Sequence, residues 1–277
     1  MIQLSKNAIF LSRFTGCSAV GSASGLGPEC RRFKSCHPDY KTCRFASLFF
    51  CLNKIMNQIW NNFINWMPQL LGGAKITIGL TILSVSAGFI FSVFLALGKI
   101  AKNKILNSIC SFYIFFFRGT PLLLQLYFIY YALPDFCPAL TIGSPFLAAF
   151  IAFTLNSSAY LAEVVRSAII SIDRGQIEAA LSLGLSRRQA ISHIVIPQAI
   201  PRLLPPLGNE FILVLKDASI VSIIALQDIT KVTQNIASGS ASRLVYIPAL
   251  ILYLVITAFF SWTFRKLEKK SIAYTEK

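Results

Sequence analysis

Apolar residues run along this chain in long stretches, each closed by a short polar segment. From Ile76 to Gly98 no charged side chain occurs for 23 residues. At ~1.5 Å per residue that is enough helix to cross a ~30 Å hydrocarbon layer. A second stretch, Ile105–Leu133, is interrupted at Arg118-Gly119-Thr120-Pro121. Pro121 has no backbone donor and is predicted to kink a helix, so that the span proper begins near it. Phe146–Ile170 is the third stretch and carries Glu163 and Arg166 near its end. Leu203–Leu226 is the fourth, with Glu210, Lys216 and Asp217 inside it, and Leu244–Phe264 is an uncharged fifth. The pattern predicts an all-α integral membrane protein with five transmembrane helices.

Composition agrees. Apolar residues make up 55% of the 277 and charged residues 13%, with a mean hydropathy of +0.63. A soluble fold so composed would lack the polar surface to cover itself. The net charge of +15 would suggest nucleic acid in a soluble protein. Here no basic patch is interleaved with stacking aromatics, so no nucleic-acid partner is expected.

Position explains most of that charge. Residues 99–104 supply three lysines, 171–202 four arginines and 265–277 five basic groups, whereas 134–145 has none and 227–243 two. Basic loops stay in the cytoplasm. The body is therefore expected to start outside the cell and to end with its C-terminus in the cytoplasm.

Residues 1–55 differ from residues 56–277. They hold eight basic and two acidic side chains and five of the seven cysteines. The cysteines form no C-x-x-C pair and follow no secretory signal, which argues against a zinc site and a disulfide framework. The segment is expected to be disordered, to lie on the membrane surface, or not to be translated, with synthesis starting at Met56. A basic segment that had to be moved outward fits the last reading best.

The most informative polar segment is residues 171–202. Glu178-Ala179-Ala180, Gly184, Ser186-Arg187-Arg188-Gln189 and Ile194-Val195-Ile196-Pro197 predict two short helices hinged at Gly184. Ser186 and Gln189 have the spacing of a capping box, and Pro197 is predicted to stop the second helix. His193 is expected at the solvated surface. Such a hairpin is a suitable knob for a soluble partner, although it can also serve as a plain connector.

These residues resemble the EAA loop of bacterial ABC-importer permeases, with Ile196 where Leu is usual. Phe117-Arg118-Gly119-Thr120-Pro121-Leu122-Leu123, Ala159-Tyr160-Leu161-Ala162-Glu163-Val164-Val165-Arg166 and Leu215-Lys216-Asp217-Ala218-Ser219 resemble segments of the polar amino acid permeases, the histidine/glutamine/arginine branch. The resemblance covers about residues 56–270. It implies a type I importer permease fold in a bacterial inner membrane, working by alternating access. It also implies a second permease copy or paralogue, a separate ATPase and an external amino-acid-binding protein. Glu178, Ala179, Ala180, Gly184, Arg187, Arg188, Ile194 and Pro197 would then meet the ATPase. No G-x-x-x-x-G-K-[ST] loop is present, so ATP and magnesium belong to that partner. No cofactor, metal or catalytic residue is expected in this chain.

Ionised side chains at membrane depth cost about 2.5–3.5 kcal/mol and need a partner or a wet cavity. Glu163 and Asp217 are the expected acceptors for a substrate ammonium or polar side chain, with Asn156, Ser157 and Tyr160 adding hydrogen bonds. Arg166 can pair with Glu163 at i,i+3, and Lys216 adjoins Asp217. Counted from Pro205, Asp217 falls ~18 Å up its helix, near the midplane. The alternative is that Glu163–Arg166 and Lys216–Asp217 latch helices together. Gly72, Gly73, Gly79 and Gly88 are expected to let helices approach closely, and the run Phe112–Phe117 to face lipid. A permease for another small solute remains an alternative. So does a secondary carrier using Glu163 or Asp217 as a proton relay. A membrane enzyme would need a histidine constellation that two histidines do not readily supply.

Overall fold

The computed structural model describes residues 40–275. Two units are present, Met1–Ile55 and Met56–Lys277. Of the first, residues 40–55 are helical; the expectations for residues 1–39 lie outside the described residues. Among the described residues every element is helical and none is a strand.

The elements are α1 (Tyr40–Ile100), α2 (Lys104–Gly119), α3 (Leu122–Tyr127), α4 (Leu133–Phe136), α5 (Pro145–Ile170), α6 (Arg174–Ser182), α7 (Arg187–Ala190), α8 (Ile196–Asp217), α9 (Ile229–Ser240) and α10 (Tyr246–Thr275). A π-helical turn, Phe128–Ala132, joins α3 to α4, and a second, Ile191–Val195, joins α7 to α8. Among the described residues three helices are long and apolar enough to cross a membrane: Asn65–Ile100 of α1, α5, and Arg243–Ser271 around α10. The pair Lys104–Gly119 and Leu122–Phe136 makes a fourth candidate, bent by 103° at the break. The kink expected at Pro121 is therefore a sharp turn. Pro121 sits in an extended conformation (φ −64°, ψ 134°) just before α3.

At the centre stands α5. Half of its apolar stretch is buried, against 17% for α10. Its buried face is built of small residues, with Ala148, Ala149, Ala152, Ser157, Ser158, Ala159 and Ala162 lying against neighbours. In lipid no hydrophobic gain separates a leucine on a neighbouring helix from a lipid tail, so close packing of small side chains holds helices together. Leu80 and Val85 of α1, Leu126 of α3 and Phe211 and Val214 of α8 complete this core with Phe153. Phe211 also packs against Phe260 and Phe264 of α10, at ring-centroid distances of 4.7 and 5.3 Å.

Two of the four glycines do bring backbones together. A Cβ on Gly73 would lie 2.8 Å from the backbone carbonyl atoms of Asp228, and one on Gly88 3.1 Å from Ser157 Cβ, whereas Gly72 and Gly79 face open space. Against Gly73 the start of α9 is pinned. The buried Asp228 caps α9 by accepting from the N–H groups of Thr230 and Lys231, both at 2.9 Å. Burial pushes its carboxyl up from the ordinary aspartate value, and those N–H groups oppose the shift. Thr77 Oγ1 accepts from the N–H of Ile229. Gly73→Ala is expected to lower the unfolding temperature of the detergent-purified protein. Overpacking costs about 1–3 kcal/mol, and the helix-propensity gain of at most about 1 kcal/mol does not offset it against a backbone that cannot step aside. Gly72→Ala in the same thermal scan should not lower it.

The fourth predicted span needs correcting. Helix α8 starts at Ile196, not near Leu203, and ends at Asp217, where the chain tightens into a 3-10 segment, Ala218–Ile224. Pro197 does not stop the preceding helix. The wide π turn Ile191–Val195 stands directly before it and gives its ring room in place of a break. Pro201, Pro205 and Pro206 lie inside the helix. Asp217 is thus the last residue of α8, ~32 Å from its start, rather than midway along it. The aromatic run also divides. Phe112, Phe115 and Phe116 are exposed as expected, while the Tyr113 hydroxyl turns inward to Leu155 O (2.9 Å) and Ser158 Oγ (2.8 Å).

Candidate functional site

The break between α2 and α3 leaves backbone carbonyls without helical partners, and two side-chain amides meet them. Gln125 Nε2 lies 3.0 Å from Phe117 O and from Thr120 O, and Asn156 Nδ2 of α5 donates to Phe117 O at 3.1 Å and to Gln125 Oε1 at 3.0 Å. This clasp ties the break to α5 and sets Arg118 over the ring of Tyr160, 5.3 Å from its centroid. Both residues are exposed, and a cation–π contact at such a site holds a guanidinium without consuming its hydrogen-bond donors.

Opposite stands α8. Glu210 and Asp217 are seven residues apart and share a helix face. Glu210 is buried, and Ser157 Oγ donates to its Oε1 at a long 3.4 Å. Arg118, Asn156, Tyr160, Glu210 and Asp217 line one cavity of about 390 Å³. A second cavity of about the same volume adjoins it, lined by Lys99, Ser111 and Glu163 and sharing Arg118, Gly119 and Tyr160 with the first.

The predicted residues thus separate into two groups. Asn156, Tyr160 and Asp217 line the first cavity; Ser157 reaches it through Glu210. Glu163, expected to meet a substrate ammonium or polar side chain, has both oxygens engaged. Arg166 Nε donates to Oε2 at 2.7 Å, and Lys99 from the end of α1 pairs with Oε1. Among the described residues these are the ion pairs: Glu163–Arg166 forms within α5, Lys99 joins it from α1, and Lys216–Asp217 is not among them. Both Lys216 and Asp217 are exposed.

Sequence reasoning left Lys99, Arg118, Gln125 and Glu210 unassigned. For Arg118 and Glu210 the signal was present, a charge inside an apolar stretch. Lys99 was counted with the loop charges, and nothing local marks Gln125.

Residues 171–202 form a compact projection. The Arg202 guanidinium donates to the carbonyl of Ser171 and, at 2.9 Å, to its hydroxyl, closing the base. Helix α6 carries Glu178, Ala179 and the buried Ala180. It ends in paired bonds from Gly184 N to Leu181 O (3.0 Å) and from Leu185 N to Ala180 O (3.1 Å). That is the Schellman arrangement, which needs a left-handed residue after the cap, and Gly184 supplies it with φ +85°. The capping box then starts α7, with Ser186 Oγ accepting from Gln189 N (3.4 Å) and Gln189 Oε1 from Ser186 N (2.8 Å). Glu178, Arg187, Arg188 and Pro197 are exposed, Ile194 is half-buried, and Leu183 at the turn is 84% exposed. His193 is exposed as expected, its Nδ1 hydrogen-bonded with Gln189 O and Ser192 Oγ.

An apolar helical bundle with a clasped polar projection and a charged cavity points to transport. Residues 88–272 match the family described as binding-protein-dependent transport system inner membrane component. The chain belongs to this family. As an inner-membrane component of that kind it is a transport subunit and not an enzyme; ATP is hydrolysed by a separate subunit. It is 36% identical over 212 residues to the glutamine transport system permease protein GlnP of Escherichia coli K12, covering 76% of this chain and 96% of that protein. Identity to the L-cystine transport system permease protein TcyL of Bacillus subtilis is 37% over 211 residues (74% and 88% covered). Identity to the nopaline transport system permease protein NocM of Agrobacterium fabrum is 37% over 202 residues (70% and 84%). Among solved structures, an amino acid ABC transporter crystallised with histidines matches with TM-score 0.70 at 39% identity, covering 76% of this chain and 97% of that one. The MetNI methionine ABC transporter shares the fold, with TM-score 0.62 at 18% identity. Members of this family work as permeases and carry no cofactor of their own.

Proposed function

We propose that this chain is the permease subunit of an ATP-driven importer that takes a polar amino acid across the bacterial inner membrane. The observation that carries the reading is the cavity between α5 and α8. It gathers a guanidinium, two carboxylates and the Asn156 amide on a family member whose relatives are amino acid permeases. A zwitterion needs donors for its carboxylate and an acceptor for its ammonium, and these groups are complementary to it. Arg118 takes the carboxylate, Asp217 the ammonium, and Asn156, Tyr160 and Ser157 orient the cargo or its neighbours. Glu163, Arg166 and Lys99 hold α1 against α5.

The proposal includes five spans, with α8 as the fourth in chain order. At 22 residues α8 is ~33 Å long and sufficient to cross, although its prolines and charges depress its hydropathy. The basic loops place residues 171–202 and the C-terminus in the cytoplasm. There Glu178, Ala179, Ala180, Gly184, Arg187, Arg188, Ile194 and Pro197 form the face that docks an ATPase. Closure of the ATPase swings the spans around the cavity, and a second permease completes the pathway. An external binding protein delivers the amino acid.

Reconstitution with its ATPase and binding protein in proteoliposomes tests the reading. ATP-dependent uptake of at least one polar amino acid is expected, and no uptake across a full panel would overturn it. Docking has its own test. Gly184→Val forces a β-branched residue into the left-handed region at a cost of about 1–2 kcal/mol. Affinity for the ATPase, measured by titration in detergent, is expected to fall about tenfold, since 1.4 kcal/mol is a factor of ten.

A further inference from the structure

Helix α10 carries a stripe of exposed apolar side chains that ends on charge. Ile251, Val255, Phe259 and Trp262 are all exposed, and at ~100° per residue they fall within about 60° of the direction of Trp262. The opposite side is engaged. Phe260 and Phe264 pack on Phe211 of α8, and a Cβ on Gly208 would lie 2.9 Å from Phe264 Cγ. The stripe is therefore the face that α10 turns away from the bundle. With 17% of its apolar stretch buried, α10 is also the least covered of the three long apolar helices.

Beyond Trp262 the same stripe continues as cations. Arg265, Lys266 and Lys269 are exposed and lie within about 60° of Trp262 around the helix, in line with the apolar stripe rather than beside it. Lys266 Nζ lies 5.0 Å from the centroid of the Trp262 ring. Among the described residues none of the three cations has an ion-pair partner. The neighbouring acid, Glu268, is half-buried and points about 120° away from Trp262. Three uncompensated cations within ~6 Å of helix rise make one positive patch.

Acyl chains lying along the stripe bring their headgroup to this patch. A phosphatidylcholine headgroup carries its own ammonium beside the phosphate and leaves the cations largely uncompensated. A phospholipid with a phosphate and no ammonium supplies the missing charge, and Trp262 is the amphipathic ring that the membrane interface favours. We propose that the basic end of α10 binds an anionic phospholipid, with Arg265, Lys266 and Lys269 around its phosphate and its acyl chains along the stripe. The bound lipid fixes the end of the helix on which α8 is seated through Phe264 and Gly208. The site needs α10 to span the membrane, as its length and hydropathy allow, and is independent of the cargo.

The test places the full-length chain in phosphatidylcholine vesicles in which a fixed fraction of lipid is brominated phosphatidylglycerol or brominated phosphatidylcholine. Bromine quenches tryptophan fluorescence on contact, and Trp262→Phe identifies the share due to Trp262, one of three tryptophans. Phosphatidylglycerol is expected to occupy the site about fivefold or more in preference to phosphatidylcholine, the contribution of a single Lys or Arg at an anionic surface. The triple substitution Arg265→Gln, Lys266→Gln, Lys269→Gln should bring that ratio to about one. Lys266→Arg with Lys269→Arg should keep it, as should Lys102→Gln with Lys104→Gln in another basic segment. Equal quenching by the two lipids in the unaltered chain overturns the inference without needing any variant to fold. So does a preference that survives the triple substitution; lost ATPase affinity in that variant, with the lipid preference kept, would make the patch a protein-docking face. Displacement of the lipid by free glycerol phosphate would also overturn it, since the acyl chains would then contribute nothing.

Discussion

Asp217→Asn is expected to abolish amino acid uptake by the reconstituted importer while its ATPase stays bound. The change is nearly isosteric and sits on the exposed last turn of α8, so the fold has little to lose. What would be lost is the charge proposed to face a substrate ammonium. A hydrogen bond to a charged group contributes about 1.5–3 kcal/mol, which converts to roughly 10- to 150-fold in binding. Transport should fall by at least that factor, because the contact must form at each turnover. Initial uptake rates over a range of amino acid concentrations check the prediction, with co-purified ATPase as the control for assembly. Unchanged apparent affinity would remove Asp217 from the site.

Glu163→Gln has a large effect of a different kind. Two cations, Lys99 from α1 and Arg166 from α5, converge on this one carboxylate, whose side chain is 19% exposed. Neutralising it leaves both partly buried cations, 26% and 33% exposed, without that counter-ion. Breaking such a pair from one side costs about 3–5 kcal/mol when buried, and about 2–3 kcal/mol is reasonable for this partly wetted cluster. Removing Lys99 alone is milder, since Glu163 keeps Arg166. In detergent the unfolding temperature should therefore fall clearly further for Glu163→Gln than for Lys99→Met. Equal and small shifts in the two variants would show that the cluster is an ornament of the surface. Uptake should fall with the loss of α1–α5 contact rather than through the Michaelis constant.

Comparison of the chain with its fold shows where local pattern suffices. The third span was legible to within one residue, because α5 is uninterrupted and begins at the Ser144 cap, whose side chain accepts from Leu147 N. The turn at Gly184 and the capping box at Ser186 and Gln189 were legible for the same reason, since each is a contact within six residues. The start of α8 was not. A proline near a helix start and three inside it read as breaks, and only the π turn ahead of Pro197 makes continuity possible. The site was half legible. A charge in an apolar stretch announces itself, so Glu163, Glu210 and Asp217 were visible, but which of them is already satisfied depends on Lys99, 64 residues away from Glu163. The place of Arg118 depends on its stack against Tyr160, a contact between two helices that no spacing rule contains.

The prolines of α8 have a mechanical consequence. Pro197, Pro201, Pro205 and Pro206 all lie in the first half of the helix, and each omits a rung of the hydrogen-bond ladder there. A rod missing rungs in one half is compliant there and stiffer where the ladder is complete. Helix α8 runs from the end of the clasped projection to Asp217, so anything pushing on the projection bends this shaft before it moves the far end. The compliant half precedes Gly208, and the half bearing Glu210 and Asp217 keeps its full ladder. A push therefore reaches the two carboxylates as a tilt of one rigid piece, and their spacing survives the stroke.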